Sequence, residues 1–92
     1  VRLDSKTVSD ILTYEGEAGE IVSLIIELDS GNVGSLVISA EQDDVSLMNY
    51  ETSGLPGIII IGFVVPEDGN VVITFTDDGT GSAILDVSIE SE

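Results

Sequence analysis

The chain has no cysteine, histidine or tryptophan, and only two of its 92 residues are basic. Without cysteine there is no disulfide framework and no thiolate metal site. Without histidine and cysteine there is no Ser-His or Cys-His nucleophile pair and no imidazole ligand. Both basic residues, Arg2 and Lys6, lie in the first six positions, and no positive side chain follows from Thr7 to Glu92. Phosphate backbones are held by Lys and Arg, so nucleic-acid partners are excluded, and an anionic membrane surface is disfavoured on the same ground. A single lysine with no Walker-type glycine loop cannot build a nucleotide cradle. The longest apolar run, "GIIIIGFVVP" (57–66), falls well short of the ~20 residues of a spanning helix, so no membrane insertion is expected. Aromatics are limited to two Tyr and two Phe, too few to line a deep sugar-binding cleft, which argues against a glycosidase built on paired carboxylates.

What is present is acid, aliphatic residues and turn chemistry. Eighteen acidic residues bring the net charge to −16. Such a surface suits salty or divalent-rich surroundings, and it can recruit cations or a basic partner. With 42% hydrophobic residues the chain carries too much apolar surface for an acidic disordered tail, so it folds. At this length it forms one domain, residues 1–92. Its core is aliphatic and largely β-branched, which favours strands.

Apolar and polar residues alternate with period two in most segments. In "EIVSLIIELD" (20–29) Val22, Leu24, Ile26 and Leu28 share a face; in "SLVISAE" (35–41) Leu36, Ile38 and Ala40 do. "VVITFT" (71–76) turns Val71, Ile73 and Phe75 inward, and "SAILDVSIE" (82–90) turns Ala83, Leu85, Val87 and Ile89 inward. "TVSDILTYE" (7–15) and "VSLMNYET" (45–52) alternate more weakly, and "IIIIGFVV" (58–65) is apolar on both faces. The punctuation between them is turn chemistry: "GEAG", "SGNVG", "QDD", "SGLPG", "PEDGN" and "DDGTG". Seven short strands at about ten-residue spacing predict an all-β, antiparallel two-sheet sandwich, jelly-roll or Ig-like.

Only carboxylates are left to carry chemistry. Adjacent acids at Asp43-Asp44, Glu67-Asp68 and Asp77-Asp78 are candidate oxygen ligands for calcium. If the turns after Ala40 and Thr76 meet at one end of the sandwich, Asp43, Asp44, Asp77 and Asp78 converge into one site. In "TDDGTGS" (76–82) the glycines and Asp78 also suit a hairpin loop needing positive φ, so geometry alone can account for the stretch. "LDSG" (28–31) resembles the Asp-Ser/Thr-Gly signature of aspartic proteases, in which Asp29 would be the catalytic carboxylate of a homodimer.

Two segments point to contacts between molecules. Neighbours in "GIIIIGFVVP" point oppositely, so one face of the strand is expected in an intermolecular contact, with Ile59 and Ile61 as its residues. In "VRLDSKTVS" (1–9) Val1, Arg2, Leu3 and Lys6 belong to an extended segment that either pairs as the first strand of its own sandwich or adds to the sheet edge of another copy. Head-to-tail strand addition of that kind would build a filament.

Three stretches, "YEGEAGEIVSLIIELDS" (14–30), "FVVPEDGNVVITFTDD" (63–78) and "GTGSAILDVSIE" (79–90), resemble bacterial pre-peptidase C-terminal-type domains. The shared features are a glycine turn feeding a strand, a strand ending in Pro-x-Asp-Gly, and a last hairpin through Gly-Thr-Gly. The resemblance implies a non-catalytic accessory β-sandwich outside the cell. With the cysteine-free, acidic, all-strand character, the expectation is an extracellular or cell-surface structural module, its signal peptide removed, that associates with itself or with another surface protein. A calcium-dependent module binding glycan or protein is the alternative expectation, and the aspartic-protease-like homodimer the third.

Overall fold

The computed structural model describes residues 1–54 and 57–91 as two antiparallel four-stranded sheets packed face to face. The strands are β1 (Arg2–Leu3), β2 (Ser9–Gly16), β3 (Ile21–Asn32), β4 (Ser35–Gln42), β5 (Val45–Ser53), β6 (Ile58–Val64), β7 (Gly69–Asp77) and β8 (Ser82–Ser91). Seven are the segments expected as strands, six by their alternation and β6 by its apolar run between turns, and the eighth is the N-terminal segment. Of the expected "SGLPG" turn, Leu55 and Pro56 lie outside the described residues.

One sheet has the order β1-β8-β3-β6 and the other β2-β7-β4-β5. The pairs β4·β5, β3·β6, β2·β7 and β1·β8 are nested about the β4–β5 turn. The chain is thus one long antiparallel hairpin rolled up on itself, and the pairs β3·β8 and β4·β7 close the two sheets. This is the jelly-roll winding.

The alternation in the sequence becomes the division between core and surface. Val22, Leu24 and Ile26 of β3, Leu36, Ile38 and Ala40 of β4, Val71, Ile73 and Phe75 of β7, and Ala83 and Leu85 of β8 are all buried between the sheets. Leu28, Val87 and Ile89, expected on the same faces, are half-buried at the margin. Complete burial of a side chain such as Leu24 or Ile73 stabilises by about 2 kcal/mol, and that is the main force holding the two layers together.

β3 contains a bulge. Leu28 pairs with Leu85 and Ser30 with Ile84, leaving Asp29 as the extra residue, exposed to solvent. Gly31 follows at φ +82°, where a Cβ would stand 1.9 Å from the Ser82 carbonyl oxygen. "Asp-Ser-Gly" is therefore spelled by the bulge: an outward residue, then a glycine where the β8 backbone leaves no room for a side chain.

Candidate functional site

The expected four-carboxylate site does not form. Asp43 and Asp44 follow the C-terminal end of β4, while Asp77 and Asp78 lie at the C-terminal end of β7. These two strands run antiparallel, with Leu36 opposite Asp77 and Glu41 opposite Val72. Their C-terminal ends therefore lie at opposite ends of the sheet, about 25 Å apart for an eight-residue strand. Among the described residues no three acidic side chains gather in a group able to hold a metal ion.

Each pair serves its own turn instead. Asp77 is 3% exposed. Its Oδ1 accepts the Gly34 amide at 3.1 Å, and its Oδ2 accepts those of Gly79 at 3.3 Å and Gly81 at 3.2 Å. The Asp78 carboxylate accepts the Thr80 amide at 2.9 Å, the Thr80 hydroxyl at 2.5 Å and the Ser35 amide at 3.2 Å. Donation by the Thr80 hydroxyl and then by the Thr80 amide favours the charged form, so the Asp78 carboxyl lies below its ordinary 3.8. Both acids thus tie the β7–β8 loop to the start of β4. The approach is so close that a Cβ at Gly34 would meet the Thr80 hydroxyl at 2.1 Å. "TDDGTGS" is an internally satisfied turn whose carboxylates already hold backbone amides.

Other acids do similar work. The Asp68 Oδ1 accepts the Ala18 amide at 2.8 Å, joining the β6–β7 loop to the β2–β3 turn. Glu20 accepts the Tyr14 hydroxyl and, at 3.0 Å, the Glu17 amide. Hydrogen bonds from the Ser91 hydroxyl and then from Tyr14 hold the Glu20 carboxyl below 4.5, and Glu20 in turn raises the Tyr14 phenol above 10. Gln42, 2% exposed, brackets Glu67: its Nε2 donates to the Glu67 carbonyl at 2.7 Å, and its Oε1 accepts the Glu67 amide at 3.3 Å. Gln42 continues the inward parity of Leu36, Ile38 and Ala40, but no local pattern marks its partner, a backbone 25 positions away.

The structure also places the two expected contact segments. Val22↔Phe63, Leu24↔Ile61 and Ile26↔Ile59 are cross-strand pairs between β3 and β6. Ile59 and Ile61 therefore share the inward face with fully buried residues of β3 and pack against the core. The outward parity belongs to Ile58, Ile60 and Val64, which are 56, 65 and 57% exposed. Across the ladder, Ile21 and Ile25 of β3 stand beside Val64 and Ile60 and extend an outward aliphatic stripe.

At the other edge of that sheet the N-terminal segment is used within its own molecule. Arg2 and Leu3 pair with Ile84 and Ala83. Val1 donates to the Leu85 carbonyl at 3.0 Å and accepts its amide at 2.7 Å. Leu3 is fully buried in the core. The Arg2 side chain is 76% exposed, with its Nε 3.6 Å from Asp4. The Lys6 and Thr7 amides donate to the Asp4 carboxylate at 2.8 Å, turning the chain toward β2. Of the two ways this segment can pair, the structure adopts the one within its own sandwich.

No protein-family model matches this chain, and no curated protein matches it.

Proposed function

We propose that this chain is a non-enzymatic structural and interaction module that works through its β3–β6 face. The observation that carries this reading is the outward stripe formed by Ile21 and Ile25 of β3 with Ile58, Ile60 and Val64 of β6, a strand with no charged side chain, on a molecule of net charge −16. Aliphatic surface of this kind on an otherwise acidic sandwich suits contact with another protein. The chemistry of the acids supports the same reading. Asp77, Asp78, Asp68 and Glu20 spend oxygens on backbone amides, and Asp29 lies exposed on a bulge. An extracellular setting fits a cysteine-free, strongly acidic β-sandwich. The likeness of 14–30 and 63–90 to pre-peptidase C-terminal-type domains fits an accessory role.

Nile red, a neutral dye that fluoresces in apolar surroundings, tests the stripe without electrostatic bias. The chain is expected to bind it, and Ile60→Lys is expected to lose most of the signal while keeping its melting transition. Ile11→Lys, at an exposed isoleucine of β2, keeps the signal. Absence of dye binding by the unsubstituted chain overturns the reading. So does a saturable, chelator-sensitive rise in melting temperature with calcium at high sodium chloride, which assigns the role to a metal-dependent module.

A further inference from the structure

β8 pairs with β3 along its whole length on one flank, while on the other it has only β1, two residues long. β1 reaches Ala83, Ile84 and, through Val1, Leu85. Among the described residues no strand lies beside Asp86–Glu90 on that flank. Leu85 exchanges both of its backbone hydrogen bonds there with Val1. The register against β3 runs unbroken from Leu85 to Ser91. Backbone groups alternate sides along such a strand, so the N–H and C=O of Val87 and Ile89 face the open flank. The side chains mark the same boundary. Ala83 and Leu85, which β1 covers, are 3 and 2% exposed, whereas Val87 and Ile89 on the same inward face are only half-buried. At the far end the Tyr14 and Ser91 hydroxyls both bond Glu20 and join β2 to β8, so the open stretch is the five residues Asp86–Glu90.

We propose that this gap takes an extended segment of a different protein, in which apolar side chains alternate with basic ones. β1 supplies the pattern: Val1 and Leu3 pack inward on the core, and Arg2 turns outward. Continued along β8, the inward positions stand opposite Val87 and Ile89 and the outward ones opposite Asp86, Ser88 and Glu90. Charge complementarity selects the outward residues. Asp86 lies directly across from Glu27 of β3, and like charges so placed repel. A cation opposite Asp86 relieves that repulsion, and a second cation meets Glu90. The same acids turn away an acidic strand. A second copy of this chain does not fit: none of its strands after β1 carries a basic residue, and its β1 is already paired within its own sandwich. Main-chain bonds to Val87 and Ile89 hold the added strand, and its alternate side chains set the preference. This surface lies at the opposite edge of the sheet from β6 and goes beyond the aliphatic stripe.

Amide NMR of the chain in about 0.15 M sodium chloride, titrated with the peptide acetyl-Lys-Val-Thr-Val-Lys-amide, tests this. Saturable shifts are expected at the Val87 and Ile89 amides, with slowed hydrogen exchange there. Methylating the two valine nitrogens of the peptide keeps its charge but removes the donors that face β8, and is expected to weaken binding about tenfold or more. Replacing both lysines of the peptide by glutamate is expected to weaken it by a similar factor, and the double variant Asp86→Lys, Glu90→Lys to reverse that preference. Absence of saturable shifts up to about 5 mM peptide overturns the proposal. Equal binding of the methylated peptide also overturns it, since charge alone then holds a cation to a molecule of net charge −16. Shifts centred on another edge, or an unreversed preference in a folded double variant, do the same; if that variant unfolds, the three peptides on the unsubstituted chain decide. Shifts of Val87 and Ile89 that grow with chain concentration in the absence of peptide give the edge to a second copy and overturn the basic occupant.

Discussion

Asp77 shows how one buried acid can organise two loops. Its oxygens accept amides of Gly34, Gly79 and Gly81, so removing them strands donors on both sides of the joint between β4 and β8. An unpaired buried amide costs roughly 1–3 kcal/mol. Asp77→Ala is therefore expected to destabilise the fold by about 3 kcal/mol in total, with a smaller loss for Asp77→Asn, which keeps one acceptor. Urea unfolding measures it: the midpoint should fall with the slope unchanged. A loss below about 1 kcal/mol would show that water replaces the carboxylate at little cost.

The β4–β5 hairpin, the innermost turn of the roll, is closed by Asp43 and Asp44 at φ 49° and 65°. Both residues sit in the left-handed region demanded by a two-residue turn between the paired Gln42 and Val45. For residues with a Cβ that region is costly, and glycine enters it freely. The turn also holds two adjacent negative charges. Asp44→Gly is expected to stabilise the domain by about 1 kcal/mol, raising the melting temperature by about 5 °C. An unchanged or lowered melting temperature in differential scanning calorimetry would show that these acids hold the turn at no such cost. The same element explains why the paired acids do not meet those at Asp77: a hairpin turn and the far end of its neighbouring strand are separated by the strand's length.

Across the whole molecule, eighteen acids and two bases are confined to a compact body with a radius of gyration of 12.9 Å. Compaction brings like charges closer than in the unfolded chain, so self-repulsion opposes folding. Salt shortens the range of that repulsion to about 10 Å at 0.1 M. Stability is expected to increase by about 1 kcal/mol, or about 5 °C in melting temperature, between roughly 0.02 and 0.5 M sodium chloride. A melting temperature that stays flat across this range would show that the acids are already spaced beyond mutual influence.

Local alternation was enough to identify the strands and most of the core, because a residue's face in a sheet follows from parity along the strand. It carried Val22, Leu24, Ile26, Leu36, Ile38, Ile73, Phe75 and Leu85 directly into the interior. Parity cannot decide a strand that is apolar on both faces. In β6 the register against β3 turns Ile59 and Ile61 inward and Ile58 and Ile60 outward. Nor can a turn's composition report which end of the sandwich it occupies. The winding of the roll sends Asp43-Asp44 and Asp77-Asp78 to opposite ends, and long-range contacts with Gly34 and Ser35 give the second pair its task. Side-chain periodicity is a property of a few consecutive residues and is written in the sequence. Register, sheet edges and the partners of buried polar groups join residues tens of positions apart, and the packed tertiary structure alone decides them.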